Sequence, residues 1–133
     1  MATIKKFEDI IAWQKARLFC NEIFLICIET SLSKDYKLKE QINGSSGSVM
    51  DNISEGLGRG GNKEFIQFLE ISYASACESQ SQLYRIVDRK YIPEEKFKEL
   101  YNLAEEIKRM ILSLITYLSK SSMTGPKYKL REK

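Results

Sequence analysis

The sequence contains no histidine, and that absence removes several kinds of active site. Histidine-based catalytic triads and the Glu-x-x-His pairs of di-iron bundles both require it. Three cysteines are too few for a four-thiolate zinc site within one chain. No loop has the spacing of oxygen ligands that a calcium site needs. We therefore expect no metal, no cofactor, no small-molecule substrate and no enzymatic activity.

Proline is scarce too, with two residues in 133, and only seven glycines interrupt the chain. Long regular helices are therefore easy to accommodate. Apolar runs are short, since the run from Phe24 to Ile28 is far below the ~20 residues that a membrane helix needs. The first residues, Met-Ala-Thr-Ile-Lys-Lys, lack the layout of a secretion signal. These features predict a cytoplasmic protein without a membrane span.

The three cysteines cannot all pair within one chain. Cys20 and Cys27 lie seven residues apart, on one face of a predicted helix and at core-like positions. Buried, reduced thiols are the simple interpretation, and a redox pair or metal site is the alternative.

Apolar residues recur at alternating spacings of three and four, which is typical of amphipathic helices. The pattern predicts helices over 7–30, 36–55, 63–90 and from Pro93 to about 121. Because the connections are short, the fold class is all-α, an antiparallel up-down-up-down four-helix bundle over residues 1–121. The predicted inward residues are Trp13, Ala16, Cys20, Ile23 and Cys27, widened by Phe24 and Ile28; Ile42, Ser46, Val49 and Ile53; Phe65, Phe68, Leu69, Ser72, Ala76, Leu83, Ile86 and Val87; and Phe97, Leu100, Ala104, Ile107, Ile111, Leu114 and Leu118.

Small residues and helix ends give further expectations. The segment Gly44–Ser48 predicts either close approach of a neighbouring helix or a kink, because mid-helix glycine costs up to ~1 kcal/mol. The segment Ser72–Cys77 of the next helix is also built mainly from small residues, and the two segments could pack against one another. Asp35 and Asn62 are candidate N-caps, and the glycines of 56–61 suit a helix C-terminus. Pro93 suits the first position of the last helix.

Positive charge is concentrated at one end of the sequence. Residues 120–133 carry five basic side chains and one acidic side chain, a net charge of +4. The other 119 residues hold 16 basic and 17 acidic side chains, so the bundle itself is nearly neutral. We expect residues 122–133 to form a basic, disordered tail, which either aids solubility or contacts an acidic partner.

Two groups of polar residues invite a functional interpretation. The glycine-rich segment around Arg59 could bind phosphate, but no strand precedes it and the ending of a P-loop is absent, so a helix-to-helix turn is favoured. Arg59 itself either binds phosphate or pairs with Glu55. Asn52, Glu55 and Glu78 either form a polar network between helices or are solvent-exposed, and no substrate pocket marks them as catalytic.

The sequence also resembles a known family, the four-helix bundle proteins first known from intervening sequences of bacterial 23S rRNA genes. The resemblance covers roughly residues 7–118. The matching elements are Phe7-Glu8-Asp9, Ala12-Trp13-Gln14-Lys15-Ala16, Gln41-Ile42, Ser48, Asn52-Ile53, Glu55-Gly56, Gly58-Arg59, Lys63-Glu64-Phe65-Ile66, Phe68-Leu69, Ser75 and Glu78.

What the resemblance implies is a non-enzymatic protomer that assembles into a ring-like homopentamer. The role of the family is poorly defined. Association with RNA or other nucleic acid has been suggested for it, and a related bundle is an accessory protein of reverse transcriptases. The corresponding candidate contacts here are Arg59, Lys63, Arg85, Arg89, Lys127, Lys129 and Arg131.

The departures from the family pattern weaken the nucleic-acid hypothesis. Positions that are commonly basic in the family are Asn43, Gly44, Gln67 and the Tyr73-Ala74-Ser75 segment here. Fewer neutralised phosphates mean weaker electrostatic binding. Two hypotheses therefore stay open, namely a nucleic-acid-associated oligomer, in which converging tails restore affinity, and a protein-interaction scaffold without nucleic-acid binding.

Overall fold

A computed structural model describes residues 4–121 of the chain. These residues form four long helices: α1 Ile11–Glu29, α2 Tyr36–Gly58, α3 Asn62–Asp88 and α4 Glu94–Ser121. No strand occurs within the described range, so the all-α prediction is confirmed. None of these helices is long and apolar enough to cross a lipid bilayer. The predicted tail, residues 122–133, lies outside the described part of the chain.

Neighbouring helices run antiparallel, because early positions of one helix contact late positions of its partner. The contacts that show this are Lys15–Glu106 and Glu22–Lys96 for α1 and α4, Ser45–Ser79 and Ser48–Ser75 for α2 and α3, and Asn62–Leu118 for α3 and α4. Each helix therefore packs along two neighbours around one shared core, as the short connections predicted.

The core confirms most of the predicted inward positions. All seven predicted residues of α4 and all four of α2 are buried. Phe24 and Ile28 are the exception, because they are 53% and 54% exposed. The prediction that they widen the buried stripe of α1 is wrong for the single chain. The other predicted residues Trp13, Ala16, Ile23 and Cys27 are buried, and Phe19, which the prediction did not include, is fully buried as well.

Three further predicted core positions are only half-buried: Cys20, Phe68 and Val87. Cys27 is buried, and burial raises the pKa of both the Cys20 and the Cys27 thiol. The described cysteines are all free thiols. For Cys20 and Cys27, the raised pKa means that the thiol stays protonated and poorly reactive at neutral pH.

The small-residue segment of α2 does lie close to α3, as predicted, but through its serines, since the hydroxyls of Ser45 and Ser48 lie 2.7 and 2.8 Å from those of Ser79 and Ser75. A Cβ added at Gly44 or Gly47 would meet nothing within 4 Å, so neither glycine admits a neighbouring helix. The glycine at a close contact lies about two and a half turns after Gly47, at Gly56, where a Cβ would lie 2.7 Å from Phe68 Cβ and 2.9 Å from Phe65 Cδ1. Helix α2 continues without a break from Tyr36 to Gly58, so the alternative of a break in the helix is not seen.

Helix boundaries differ from the predictions by a few residues. Helix α1 begins at Ile11 rather than Phe7, since Phe7–Asp9 forms a separate 3-10 turn held by the Asp9 carboxylate, which accepts from the amides of Lys5 and Lys6. Pro93 precedes α4 rather than opening it, and its carbonyl accepts from the amide of Phe97. The left-handed residue after α2 is Gly60, with φ 92°.

Candidate functional site

Helices α2 and α3 meet along a seam of small polar side chains. Ser45 donates to Gln82 Oε1 at 2.6 Å, and its hydroxyl lies 2.7 Å from that of Ser79. One turn further along, the hydroxyls of Ser48 and Ser75 are 2.8 Å apart. Paired hydroxyls in a buried contact remove the cost of desolvation and fix the register of two helices. The seam is therefore a structural device with no open space for a ligand.

The three residues of the predicted polar network lie in different surroundings. Asn52 belongs to the seam, since its Nδ2 donates to both the carbonyl and the hydroxyl of Ser48 at 2.8 Å. Glu78 lies at the exposed edge and accepts from Gln82 Nε2 at 3.3 Å. Glu55 lies outside the seam and pairs with Arg59 at 3.0 Å. The three side chains are not brought together into one cluster.

Sequence reasoning placed Ser45 in the small-residue segment of α2 but did not identify its partners Ser79 and Gln82. Ser45, Ser79 and Gln82 are buried, with 5%, 0% and 3% exposure. The signal that could have found them is the serine spacing: Ser45 and Ser48 lie three residues apart, as do Ser72 and Ser75, on facing helices. Small hydroxyl side chains at one face of each helix favour a close helix pair.

The four described candidates for nucleic-acid contact lie at the two opposite ends of the bundle. Lys63 lies at the beginning of α3 and Arg85 near its end, separated by 22 residues or about 33 Å of helix. Arg59 lies at the same end of the bundle as Lys63, and Arg89 lies at the same end as Arg85. The predicted contacts Lys127, Lys129 and Arg131 lie outside the described residues. The described arginines and lysine therefore do not form one continuous basic surface.

Each arginine at these ends already has a partner within the chain. Arg59 pairs with Glu55 and lies 5.0 Å above the ring of Phe68. Both side chains of the ion pair are 54% exposed, so the pair contributes little to stability and leaves the guanidinium accessible. This is the pairing that the sequence left as the alternative to a phosphate site.

At the other end, the arginines hold α2 to α3. Arg85 donates to Gln41 Oε1 at 3.2 Å, and Arg89 pairs with Asp35 at 2.8 Å. Tyr91 also donates to Asp35, at 2.9 Å, and this hydrogen bond and the Arg89 guanidinium lower the pKa of the Asp35 carboxyl. Asp35 accepts from the amide of Leu38 as well, which confirms its predicted capping role. Arg89 therefore has a structural task at this end.

The glycine-rich turn between α2 and α3 does not present an open helix N-terminus. The N-cap of α3 is Gly61, and the Glu64 side chain folds back against it. A carboxylate in that position competes with any anion for the first-turn amides. The turn is thus a connection between helices, as the missing P-loop features indicated.

Asn62 has a different role from the predicted one. It is the first residue of α3 and not its N-cap. Its side chain is 2% exposed and points across to the end of α4, where Nδ2 donates to the Leu118 carbonyl at 3.1 Å and the Ser121 hydroxyl at 3.2 Å. Among residues 4–121, Asn62 Oδ1 is the buried side-chain atom without a hydrogen-bond partner. Asn62 therefore caps α4, because the α3 start and the α4 end share one end of the bundle.

A polar cluster links α3 to α4. Gln80 Nε2 donates to Glu105 Oε1 at 2.9 Å, and Lys108 Nζ lies 2.9 Å from Gln80 Oε1 and 3.2 Å from Glu105. The hydrogen bond from Gln80 and the ammonium of Lys108 lower the pKa of Glu105. Lys108 also lies over the Tyr73 ring, at 5.3 Å. With every charge matched, the cluster has the character of a structural contact.

The outward side of α1 exposes several large apolar side chains. Leu18, Phe24, Leu25 and Ile28 are 47%, 53%, 40% and 54% exposed. Beside them, α1 and α4 enclose a groove of about 680 Å³, whose apolar lining includes Ile4, Ile10, Ile11, Met110, Leu114 and Tyr117. Large apolar side chains gathered on one face mark an interaction site more often than chance exposure does.

No group of histidine, cysteine or carboxylate side chains within residues 4–121 is arranged to hold a metal ion. A profile of the 23S rRNA-intervening sequence protein family matches residues 8–113. The chain belongs to this family. The match spans all four helices and excludes the end of α4. A search of curated proteins finds no match.

The fold also matches a solved structure, a crystal structure of a protein with unknown function from the S23 ribosomal protein family of Bacteroides thetaiotaomicron VPI-5482. The two chains superpose with a TM-score of 0.71 at 24% identity, over 78% of this chain and 97% of the other. At this identity the likeness supports the fold alone. It agrees with the four-helix architecture that the resemblance of the sequence implied.

Proposed function

We propose that this protein is a non-catalytic, cytoplasmic homo-oligomer that associates with structured RNA. Membership of the 23S rRNA-intervening sequence protein family carries this proposal. The resemblance implies an assembly of five copies. The described part of the chain supports a non-catalytic role, because its polar clusters are internally paired and its buried seam is closed.

The end of the bundle with Arg59 and Lys63 is the proposed RNA-binding surface. Asn62 joins this end to Ser121, so the basic residues that follow in sequence, including Lys127 and Lys129, are covalently attached there. Arg59 keeps an exposed guanidinium, and Lys63 is exposed as well. In an oligomer, several copies of such a surface on one assembly would raise the affinity above that of a single copy.

Fluorescence anisotropy against a labelled RNA hairpin tests the proposal directly. At ~50 mM salt, where electrostatic binding is strong, the full-length protein should bind, and affinity should fall steeply as salt is raised. The double variant Arg59→Gln/Lys63→Gln should bind more weakly and reduce the salt slope by up to about 1.8, at about 0.9 per phosphate contact. Neutralising Lys127, Lys129 and Arg131 together should reduce it further.

The matched control removes two exposed charges from the opposite end, as Lys37→Gln/Lys98→Gln. This variant has the same net charge as the Arg59→Gln/Lys63→Gln protein, so equal loss of binding in both would show a non-specific charge effect. Absence of binding by the unaltered protein well above micromolar concentration would contradict the RNA hypothesis.

A protein-interaction scaffold is the second candidate, and the exposed apolar side of α1 favours it. Leu18, Leu25 and Ile28 lie on this side, with exposed Asn21 between Leu18 and Leu25 and exposed Glu29 next to Ile28. Such a surface suits a protein partner better than a phosphate backbone. A stoichiometric protein partner that survives nuclease treatment would support the scaffold over the RNA hypothesis.

A further inference from the structure

An arginine and an aromatic ring are stacked at the end of α2, beside the turn to α3. The Arg59 guanidinium lies over the ring of Phe68, with its carbon 5.0 Å from the ring centroid. Its Nη2 lies 3.0 Å from Glu55 Oε2, one helical turn back along α2. The side chain is therefore held by two neighbours, although 54% of it remains exposed.

The position of this stack is fixed by the close contact of the two helices. Because Gly56 has no side chain, Phe68 packs directly on α2, where even a Cβ would lie 2.7 Å from Phe68 Cβ. Arg59 is the C-cap of α2, and its amide donates to the Gly56 carbonyl at 3.2 Å. Both members of the stack are thus attached to ordered backbone, so a ligand that contacts them finds the site already formed.

The other cation–ring pairs among residues 4–121 differ from this stack in chemistry or in distance. In two of them the cation is a lysine, Lys39 or Lys108, which has no planar face. In the third, Arg17 lies 6.0 Å from the Trp13 ring, at the outer limit of the interaction. A guanidinium is planar, and nucleobases stack on such planes. Arg59 is thus the cation in a close pair that can offer a flat, exposed face.

The ion pair with Glu55 makes Arg59 a poor phosphate ligand but does not prevent contact with a base. A phosphate at Arg59 would approach the Glu55 carboxylate, which already matches the positive charge and repels a second anion. A neutral base meets no such repulsion, and stacking on arginine is a recurring way to bind unpaired RNA bases. Lys63 is exposed and makes no ion pair within the described residues, so it is the better phosphate contact at this end.

We infer that the Arg59–Phe68 stack binds an unpaired base of RNA, while Lys63 contacts a neighbouring phosphate. This site rests on the RNA binding proposed above, and it narrows the ligand to RNA with bulged or looped-out bases. Bases inside a continuous duplex are stacked on each other and present no free face. A fully paired RNA should therefore contact this end of the bundle through its phosphates alone.

Two labelled RNA duplexes of equal charge test this site on the full-length protein. One carries a single bulged purine, and the other carries an abasic residue at the same place, so they differ by one base and by no phosphate. Fluorescence anisotropy at ~50 mM salt measures both affinities. The unaltered protein should bind the bulged duplex about fivefold or more tightly than the abasic one, as one stacked base predicts.

Substitutions that keep the charge separate stacking from electrostatics. Arg59→Lys retains the positive charge without the plane, so the fivefold preference should fall toward equal binding, with the affinity for the abasic duplex unchanged. Phe68→Leu removes the supporting ring and should also reduce the preference. Lys63→Gln should weaken binding of both RNAs, reduce the salt slope by about 0.9 and leave the preference intact. The matched control is Arg17→Lys, which alters the other ring-bound arginine and should change neither affinity.

Failure of this site and failure of the proposed function give different results. Equal affinity of the unaltered protein for the two duplexes would overturn the stacking site and leave RNA binding in place. A preference that survives in Arg59→Lys, or one that is lost in Arg17→Lys, would place the base elsewhere and overturn it too. No binding to either duplex would remove the proposed function and this site together. Circular dichroism of each variant should match that of the unaltered protein, so that a change in affinity reports on the site and not on the fold.

Discussion

Between α2 and α3 the facing side chains are small and polar, and their hydroxyls are paired, whereas the outward side of α1 exposes large apolar side chains. Ser45 and Ser79 illustrate the first region, with their oxygens 2.7 Å apart and almost no exposure. Phe24 and Ile28 illustrate the second, each more than half exposed. Burial alone would favour the reverse placement.

The comparison shows that one region specifies how two helices pair, whereas the other leaves apolar surface available for contact with another molecule. The polar seam contributes little net hydrophobic energy, but its hydrogen bonds exist in one register only, so it specifies how α2 and α3 pair. The apolar side of α1 leaves favourable burial unused within one chain. That free energy is available to a contact with another molecule.

The largest effect should come from a substitution that forces α2 and α3 apart. Gly56→Val would place side-chain atoms where Phe65 and Phe68 already lie, and we expect a loss of about 2–3 kcal/mol in the free energy of unfolding. Urea denaturation measures it from the shift in midpoint. Gly47→Val adds the same atoms into open space and should cost nothing. Equal losses in both variants would contradict a specific cost of the close contact at Gly56.

A smaller loss should follow from breaking the seam without crowding it. Ser45→Ala leaves Gln82 Oε1 and the Ser79 hydroxyl without their buried partner, at a cost of about 2 kcal/mol. The double variant Ser45→Ala/Gln82→Leu should recover part of that loss, because the buried Gln82 oxygen that lost its donor is then removed. Ser81→Ala, at an exposed position of α3, is the control and should have almost no effect. A full-sized effect at Ser81 would contradict the importance of the seam.

The next prediction has the opposite sign. Gly44→Ala and Gly47→Ala should each stabilise the protomer by up to about 1 kcal/mol, because both lie mid-helix and an added Cβ meets nothing within 4 Å. Denaturation of each single variant and of the double variant measures the gains, which should add. A loss of stability at either position would show that the glycine has a neighbour absent from the single chain.

The parts of the fold that depend on local periodicity could be predicted from the sequence. The heptad spacing of α4 identified all seven of its buried residues, because each apolar position was readable from its own helix. The seam was harder to find, because the pairing of Ser45 with Ser79 depends on the register of two helices 34 residues apart. The role of Asn62 likewise depends on the end of α4, 56 residues away.

The apolar side of α1 shows a different limit. Phe24 and Ile28 follow the same helical spacing as core residues, so composition and periodicity predicted burial. Only the positions of α2 and α4 around α1 decide that these side chains remain outside the protomer core. A residue buried against its own chain and one buried against another copy have the same sequence signature. The same limit applies to the candidate RNA-contacting residues. Only the length and direction of α3 show that Arg59 and Arg89 lie at opposite ends of the bundle.

The smallest effect concerns the end of the α2–α3 contact, where Asp35 joins Arg89 and Tyr91. The hydrogen bond from Tyr91 lowers the folded-state pKa of Asp35 below its unfolded value, with the Arg89 guanidinium adding to the effect. Its contribution to stability is therefore fully present above the unfolded pKa, at neutral pH, and is lost as pH falls below about 4 toward the lowered value. The thermal midpoint of the unaltered protein should fall over that range.

Asp35→Asn isolates this contribution, because asparagine keeps an N-cap acceptor for the Leu38 amide but has no charge to lose. The difference in thermal midpoint between the two proteins should be constant from pH 7 to about pH 5 and shrink below about pH 4. Glu40→Gln, an exposed carboxylate on the same helix, provides the comparison and should track the unaltered protein more closely. A difference that grows as pH falls would mean that Asp35 binds its proton more readily in the folded chain, which is incompatible with the contacts to Tyr91 and Arg89.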